Sequence, residues 1–297
     1  MFSVATQAQG IQIMAQTGEG SVSVSNTRAA RVIAVSSGKG GVGKTNLVAN
    51  LGIAFARTGA KVLALDGDLG LANLDIAFGV HPDMSMLDLF DGTASITEIL
   101  CEAPEGVTLL PGCSGRYDLA NLSEQERYSL FAAIDTLEND YDVLLVDTGA
   151  GLNSNAVSFA AAAQDVVIVA DPDPTSMADA YAFIKVLATQ CAVKRVQLVA
   201  NRVSGPKDGE EIYRKLSALV GRFLQVRIDY LGYVNQDAAI SRATRGGVPV
   251  LIGEPNSLAS QRIVTIARKI LSQPSESPEV GGIRFFWKRL VGWKEVT

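Results

Sequence analysis

The sequence predicts an α/β fold with a doubly wound, mostly parallel sheet of seven or eight strands and helices on both faces. Short runs rich in Val, Ile and Leu alternate, from residue 31 onward, with longer segments whose apolar residues recur at spacings of three and four. The 297 residues are 47% hydrophobic and 19% charged, which excludes disordered, collagen-like and coiled-coil classes. The chain is therefore long enough, and apolar enough, to bury a large core.

Seven apolar runs are the candidate strands. Each is apolar almost throughout, which is typical of parallel strands that are covered on both faces. The runs are 32–36, 62–66, 107–110, 143–147, 166–170, 196–200 and 226–231. The helical segments are 45–58, 124–138, 176–189, 209–223 and 257–271. This alternation is the pattern of βαβ units, in which a helix joins two parallel strands.

Short appendages are expected on both sides of a single domain at residues 31–271. Residues 1–30 combine a weakly amphipathic stretch with a Gly/Ser-rich tether. Residues 272–282 have the Pro, Ser and Gly content of a linker, and residues 283–297 form a further helical segment. We therefore expect an N-terminal extension, one domain, a linker and a C-terminal helix.

Charge and composition exclude several classes of function. A net charge of −5 argues against direct binding of nucleic acid, because affinity for a phosphate backbone comes from Lys and Arg. The chain has a single histidine, His81. One histidine is too few for a zinc site built from histidines, and it argues against a Ser/His/Asp triad. No uncharged apolar run reaches the roughly 20 residues that cross a bilayer. Three cysteines without CxxC spacing, and no secretory signal, indicate reduced thiols, so we expect a cytoplasmic protein.

A glycine-rich segment, GKGGVGKT at residues 38–45, follows the first strand and opens the first helix. It matches the phosphate-binding loop G-x-x-x-x-G-K-[ST] in its required context. The glycines let backbone N–H groups converge on phosphate oxygens, Lys44 brings charge to the β- and γ-phosphates, and the Thr45 hydroxyl can ligate Mg²⁺. The sequence thus predicts a P-loop NTPase. The expected nucleotide-binding residues of the loop are Gly38, Gly40, Gly41, Val42, Gly43, Lys44, Thr45 and Asn46.

The same glycines also spell G-x-G-x-x-G, at Gly38, Gly40 and Gly43, and Asp66 ends the second strand where a dinucleotide fold places its ribose-binding acid. A dinucleotide-dependent reductase is therefore an alternative, and it predicts nicotinamide binding without magnesium. A pyrophosphate held by backbone needs neither an adjacent lysine nor a hydroxyl. The pair Lys44 and Thr45 accordingly favours a nucleoside triphosphate.

Carboxylates follow two of the predicted strands. Asp66 ends the second strand and Asp147 ends the fourth, so both should face the crevice that contains the phosphate-binding loop. Apolar residues before Asp147 fit a Walker B strand, whose acid holds Mg²⁺ through water while the loop hydroxyl ligates it directly. We predict a magnesium site made of Thr45 and Asp147, with Asp66 facing the same crevice.

The loop resembles the deviant Walker A motif of the MinD/ParA ATPases, since Lys39 is a lysine that the general loop does not require. The resemblance implies that the nucleotide is ATP, hydrolysed to ADP and phosphate, and that the protein forms an ATP-dependent homodimer in which Lys39 reaches the other subunit's phosphates. It also implies that Asp68 orders the attacking water and that Asp66 supports the magnesium shell. The expected catalytic residues are Lys39, Lys44 and Asp68.

The resemblance extends to the residues that surround adenine. The segment ANRV places Asn201 at the position of the family's adenine-recognising asparagine, and Arg202 next to it. Residues 231–250 resemble the family's last adenine-side loop, with Asn235 where proline is usual. The resemblance implies further nucleotide contacts from Val234, Asn235 and Asp237.

Three stretches resemble the FlhG (FleN) flagellar-number ATPases within this family: DLGLANLDIAFGV at 68–80, DTGAG at 147–151 and DPDPTSMADAYAFIKVL at 171–187. This resemblance implies control of flagellar number or placement, with an FlhF-type GTPase and a flagellar transcription regulator as partners. The N-terminal residues Thr6-Gln7-Ala8 lack the acidic residue of the family's Asp-Gln-Ala motif. Gln12 lies near the position at which family members usually have an arginine. A MinD-type division regulator and a ParA-like DNA segregation ATPase are the alternatives.

The C-terminal segment predicts an amphipathic helix. Arg284, Lys288 and Arg289 lie outside one apolar arc, although Lys294 falls within the arc and Phe285 on the polar face. Such a helix after a flexible linker fits binding in the plane of an anionic membrane, which would place the protein on the inner face of the cell membrane. The alternative is a helix that packs in the protein's own groove. The expected membrane-binding residues are Ile283, Phe286, Trp287, Leu290, Val291 and Trp293.

Overall fold

The computed structural model describes residues 29–68, 72–112, 133, 136–137, 139–274 and 282–292, with side chains up to residue 290. Within these residues eight strands form one sheet in the order β3-β4-β2-β5-β1-β6-β7-β8. The strands are β1 (Arg31–Ser37), β2 (Val62–Gly67), β3 (Cys101–Ala103), β4 (Val107–Leu110), β5 (Val143–Ala150), β6 (Asp165–Ala170), β7 (Arg195–Val203) and β8 (Arg227–Asn235).

Every neighbouring pair of strands is parallel except β3 and β4, which pair antiparallel at one edge. The predicted fold class is confirmed, and all seven predicted strands are present. Strand β3 was not predicted because it has three residues, of which Glu102 is exposed, so its apolar pattern is too short to detect.

The helices in the described residues are longest where the sequence pattern is strongest. Helices α1, α6, α7 and α10 agree with predicted segments, whereas the predicted helix at 124–138 lies largely outside the described residues. The full set is α1 (Lys44–Ala56), α2 (Leu74–Phe78), α3 (Met86–Phe90), α4 (Ile96–Ile99), α5 (Ser154–Ala162), α6 (Pro174–Gln190), α7 (Pro206–Phe223), α8 (Ala238–Arg245), α9 (Val250–Gly253), α10 (Leu258–Ser272) and α11 (Ile283–Gly292).

The sheet separates two apolar layers. Ile33 and Val35 of β1 face one layer, which α1 and α10 cover. Val32 and Ala34 face the other, which includes residues of α3, α5 and α11. Alternate side chains of a strand point to opposite faces, so a strand apolar throughout must be covered twice. This burial fixes the carboxyl ends of the strands as one rigid edge.

Helix α11 packs against the body of the protein rather than standing apart from it. Ile283, Phe286, Trp287 and Leu290 are 0 to 4% exposed and belong to the same apolar layer as β1 and α5. In this conformation the helix occupies an internal groove, which was the alternative, and membrane binding by the same apolar arc stays a prediction. The helix docks there because the outer surface of α5 offers the arc an apolar partner, which the sequence of the helix alone does not reveal.

Two of the predicted membrane-binding side chains, those of Val291 and Trp293, lie outside what the structure describes. Residues 1–28 of the N-terminal extension and most of the linker also lie outside it. Of the helices in the described part of the chain, none has the length and apolar character needed to span a membrane.

Candidate nucleotide-binding and hydrolysis site

The phosphate-binding loop joins β1 to α1 at the carboxyl edge of the sheet. Its conformation depends on two glycines. Gly38 lies so close to α6 that a Cβ would collide with the backbone of Asp179. Gly43 has φ of 91°, a left-handed conformation that favours glycine, and a Cβ there would lie 2.5 Å from Nδ2 of Asn201. The predicted pattern of glycines therefore has a steric cause.

The start of α1 is built to receive an anion. Gly43 occupies the cap position, and no side chain caps the helix there. Its first N–H groups thus lack a side-chain acceptor, and the helix dipole adds positive potential at the same end. Lys44 and Thr45 stand in the first turn. This combination is the arrangement that binds phosphate at a helix N-terminus.

The Lys44 ammonium and the Asp147 carboxylate form a buried ion pair. Lys44 Nζ donates to Oδ1 of Asp147 at 2.6 Å, and the side chains are 8% and 0% exposed. Burial raises the pKa of Asp147, while the charge of Lys44 and the hydroxyl of Thr45 oppose that effect. The pair joins the first turn of α1 to β5, so the lysine is already positioned at the phosphate site.

Asp66 and Asp147 are direct neighbours across β2 and β5. Burial, followed by the charge of Asp147, raises the pKa of Asp66 to about 7. The Asp66 carboxylate accepts hydrogen bonds from the backbone N–H of Asp68, at 3.1 Å, and of Asn73 and Leu74, each at 2.8 Å. Asp66 therefore shapes the chain that follows β2, including the position of Asp68.

Asp68 faces the end of β5. A Cβ built on Gly149 would lie 3.6 Å from Asp68 Oδ1, which places this carboxylate two residues beyond Asp147 along the neighbouring strand. The half-exposed Asp68 and the buried Asp147 thus flank one short strip of β5. A carboxylate at this edge has the reach to orient a water molecule near a bound γ-phosphate.

Lys39 points away from its own phosphate-binding loop. Its Nζ donates to Oδ2 of Asp173 at 2.8 Å and to the Thr175 hydroxyl at 2.7 Å, at the start of α6. The hydrogen bond to Asp173 raises the pKa of Lys39, and the same contact holds the pKa of Asp173 well below its usual range. The lysine that the resemblance assigns to the other subunit's phosphates is therefore held by an exposed acid of its own chain.

A small pocket beside the loop contains the asparagine that the resemblance assigns to adenine, and we call it the base pocket. Asn201 lies in it, and its Nδ2 donates to the Val42 carbonyl at 2.6 Å, which ties β7 to the loop. Arg202 follows with φ of 56°, a strained conformation for a residue with a side chain, at a register shift between β7 and β8. The lining residues are Gly43, Asn46, Leu47, Asn50, Asn201, Arg202, Ile240, Val250 and Ile263.

The nucleotide contacts of Val234, Asn235 and Asp237 stay a prediction, and the structure shows what these residues contact within the chain. Val234, Asn235 and Asp237 do not line the base pocket. Val234 is buried in the core, and Asn235 donates to the Ser204 carbonyl. Both carboxylate oxygens of Asp237 accept backbone N–H groups, from Ala239 and Ala259, near the starts of two helices.

Several pocket residues were missed by sequence reasoning. Ile240, Val250 and Ile263 come from three helices that only the fold brings together. Asn50 is four residues after Asn46 in α1, and its amide joins the Asn46 carbonyl to the backbone N–H of Leu251. The i, i+4 asparagines were the one signal that the sequence offered, since such residues share a helix face.

The residues that the sequence assigned to magnesium fit a nucleotide-bound ion. Oδ2 of Asp147 is buried and has no hydrogen-bond partner among the described residues, so an acceptor remains for a cation or its water. Thr45, in the first turn of α1, lies beside Asp147 and supplies the hydroxyl that would ligate the ion. A magnesium ion that binds with phosphates takes few protein ligands. Asp66 supports this site indirectly, because its oxygens hold the backbone after β2.

Comparison with known sequences identifies the relatives of this chain. The AAA domain family model matches residues 30–198, more than half of the chain. Antiactivator FleN of Pseudomonas aeruginosa is 38% identical over 261 residues, which are 88% of this chain and 93% of FleN. Flagellum site-determining protein YlxH of Helicobacter pylori is 36% identical over 266 residues, 88% of this chain and 90% of YlxH.

Comparison with solved structures agrees with the site. Septum site-determining protein MinD of Pyrococcus horikoshii, complexed with Mg-ADP, superposes with a TM-score of 0.65 at 26% identity. The match covers 82% of this chain and 96% of that MinD. Nucleotide and magnesium binding are thus properties of the family. The chain belongs to the MinD/ParA family of ATP-hydrolysing P-loop proteins, in its FlhG (FleN) group.

Proposed function

We propose that this ATPase is a dimerising, membrane-associating switch that controls flagellar number or placement. The observation that carries the proposal is the identity of more than one third with FleN and YlxH over most of each chain, combined with a complete phosphate site. MinD of Pyrococcus horikoshii shares the fold at lower identity, which favours the flagellar role over the division role.

The hydrolysis step is assigned to residues of the carboxyl edge of the sheet. The first turn of α1 and Lys44 bind and orient the phosphates, and Thr45 and Asp147 hold the magnesium ion. When bound, Mg²⁺ supplies charge that stabilises the phosphates as the bond to the leaving group breaks. Asp68 orients the attacking water, and Asp66 holds the backbone that carries Asp68.

Lys39 completes the site only in a second copy of the chain. Because it points to Asp173, its charge does not reach the phosphates of its own subunit in this conformation. We assign it to the other subunit's phosphates, where it adds positive charge as an arginine finger does. ATP would then favour the dimer, since the charge of Lys39 has its phosphate partner only there.

The membrane role requires helix α11 to leave its groove. Four buried apolar side chains at roughly 1.5–3 kcal/mol each make docking worth on the order of 6–12 kcal/mol before entropy is counted. Burial in a bilayer returns a similar amount, so the two positions are close in free energy and a modest nucleotide effect can select between them. A dimer presents two such helices, which raises avidity about 100-fold or more.

Partner binding is assigned to the surfaces that the FlhG resemblance names. An FlhF-type GTPase would be contacted through residues 1–30, although Thr6 and Gln12 depart from the usual motif. A flagellar transcription regulator is the second partner class, consistent with the name antiactivator that FleN carries. GTP turnover of such a GTPase, measured with and without a peptide of residues 1–30, tests the first assignment.

Deletion of the gene tests the proposal as a whole. We expect cells with an altered number or position of flagella and normally placed division sites. Minicells with normal flagella would instead support the MinD-type role. Salt-sensitive binding of the purified protein to DNA would support the ParA-like role, because phosphate contacts release counterions.

A further inference from the structure

Helix α11 and the turn that carries Asp68 touch the same aromatic ring. Phe159, in α5, is 1% exposed, and its ring centroid lies 6.1 Å from that of Phe286 in a stacked arrangement. On another side the ring packs on Gly67, because a Cβ built there would lie 3.2 and 3.3 Å from two ring carbons of Phe159. A single side chain thus bridges α11 and the residue between Asp66 and Asp68.

Helix α5 is joined to the hydrolysis site through its N-terminus as well. It begins at Ser154, four residues after the end of β5, and Asn153 accepts a hydrogen bond from the N–H of Ala156 at 2.7 Å. The Asn153 amide donates to the Ala150 carbonyl at 2.9 Å, which fixes the helix to the last residue of β5. Gly149, beside Asp68, is the preceding residue of this strand.

We infer that Phe159 is a positioning residue that couples the Asp66–Asp68 turn to the docking of α11. This inference rests on the proposed nucleotide-dependent release of α11 and names the contact that transmits it. Gly67 has no side chain, so the ring rests directly on backbone. Because interiors are close-packed, a shift of this turn toward a γ-phosphate must move the ring or open a gap beside it. Phe286 is stacked on that ring and is displaced with it.

Coupling of this kind is reciprocal by thermodynamic necessity. If the nucleotide-bound turn weakens docking of α11, weaker docking must favour the nucleotide-bound state. Truncation of Phe286, as Phe286→Ala, removes the stacked partner on the α11 side. It should therefore lower the ATP concentration for half-maximal dimerisation by about fivefold or more, the lower end of usual coupling.

A tryptophan reporter can follow the docking of α11 without any membrane. The chain has two tryptophans, Trp287 and Trp293, so Trp293→Phe leaves one in the full-length protein. Trp287 is 1% exposed when docked, and its ring lies 5.5 Å from Phe286. Its emission should shift to the red when a slowly hydrolysed ATP analogue and Mg²⁺ are added in lipid-free buffer.

The decisive comparison uses two buried phenylalanines in this reporter protein. Phe159→Leu keeps an apolar side chain but shortens its reach to Gly67 and Phe286, and should lose at least half of the nucleotide-induced shift. The matched control is Phe183→Leu, which changes a fully buried ring of α6 in a different apolar cluster. It should retain the full shift. Both should bind a fluorescent ADP analogue within about twofold of the reporter protein, because ADP lacks the γ-phosphate toward which the turn shifts.

A second pair of variants approaches the contact from the turn. In Gly67→Ala the added methyl group lies 3.0 Å from the Asp147 carbonyl oxygen and 3.2 Å from the Phe159 ring. Its pressure on the ring should shift the emission to the red without nucleotide. Adding Phe159→Leu to Gly67→Ala should reverse most of that shift, because the smaller side chain relieves the contact. This double-mutant cycle separates the contact with the ring from the contact with the Asp147 carbonyl, because only the first depends on Phe159.

The outcomes separate the coupling from the proposed function. No nucleotide-induced shift in the reporter protein would refute release of α11, and the coupling with it. Equal responses of Phe159→Leu and Phe183→Leu would overturn the coupling alone. Red-shifted emission of Phe159→Leu without nucleotide would also overturn the coupling, because it would mean that the ring only stabilises the docked position of α11. A Gly67→Ala shift that is absent, or that persists in the double variant, would also overturn it.

Discussion

The phosphate-binding loop carries two lysines that form two very different ion pairs. Lys44 pairs with Asp147 at 2.6 Å, and the side chains are 8% and 0% exposed. Lys39 pairs with Asp173 at 2.8 Å, but these side chains are 37% and 44% exposed. The distances are nearly equal, so the two pairs differ in the solvent around them rather than in their geometry.

This difference separates a fixed charge from one that can move. A buried ion pair that loses a partner leaves an uncompensated charge in a medium of low dielectric, so Lys44 stays at the phosphate site until phosphate replaces Asp147. An exposed pair is screened by water and salt, and contributes little. Lys39 can therefore leave Asp173 at small cost and take a new partner in a dimer.

The largest effect is expected when the buried pair is broken. Asp147→Asn keeps the shape of the side chain but removes its charge, which leaves Lys44 buried beside a neutral amide. We expect a loss of about 3 kcal/mol in the free energy of unfolding, measured by urea titration without nucleotide. The same exchange in the exposed pair, Asp173→Asn, is the control and should leave the urea midpoint almost unchanged.

Nucleotide adds a further check on the buried pair. ADP brings phosphate to Lys44, so it should recover part of the stability that Asp147→Asn loses. Comparable urea midpoints for the two variants would contradict the distinction between a fixed and a mobile charge.

The next effect concerns the chemistry rather than the fold. Asp68→Ala removes the carboxylate that we assign to the attacking water, so ATP turnover should fall at least about 100-fold while ATP-dependent dimers still form. Turnover is measured as phosphate release and dimerisation by light scattering. Asp75→Ala, a nearby acid without an assigned role, is the control. If Asp68→Ala retained turnover close to that of Asp75→Ala, another group would have to orient the water.

The charge comparison extends to the C-terminal helix. Lys288 is an exposed charge of α11 and stays exposed whether the apolar arc is docked or in a membrane. Each such charge contributes about 1 kcal/mol near an anionic surface, so Lys288→Glu should weaken ATP-dependent sedimentation with anionic liposomes by tenfold or more. The control is Lys207→Glu, which reverses an exposed lysine of α7. Equal sedimentation of the two variants would argue against α11 as the membrane contact.

Sequence reasoning worked where a local pattern has a local cause. The glycines of the loop were predictable because Gly38 lies against the backbone of α6 and Gly43 has a left-handed φ. The long strands were predictable because both of their faces are buried. The apolar arc of α11 was also predictable, but not its partner. An amphipathic pattern shows that one face is covered without showing by what, and the surface of α5 becomes visible only in the fold.

The base pocket illustrates the same limit. Asn201 could be placed from a short motif beside a strand, whereas Ile240, Val250 and Ile263 converge from separate helices. Asp237 was assigned to the nucleotide on resemblance, and only the fold shows that its oxygens also accept N–H groups near the starts of two helices. A sequence motif locates residues that lie beside one strand or loop. Residues that come together from separate helices are found only in the folded structure.

The smallest effect is expected when the exposed Lys39–Asp173 pair is broken. This change tests whether Asp173 keeps Lys39 from the second subunit until the dimer forms. Asp173→Asn retains a side chain that can cap α6, where Asp173 accepts the N–H of Thr175 at 2.8 Å, but it removes the charge that holds Lys39. Because Lys39 then leaves its own subunit more easily, the ATP concentration for half-maximal dimerisation should fall by a few fold at most. Glu210→Gln, which removes the charge of an exposed acid of α7, is the control. The difference between the two should shrink from low salt to about 0.5 M NaCl, since screening weakens exposed pairs. Weaker dimerisation of Asp173→Asn would instead mean that the contact with Asp173 helps to present Lys39 to the second subunit.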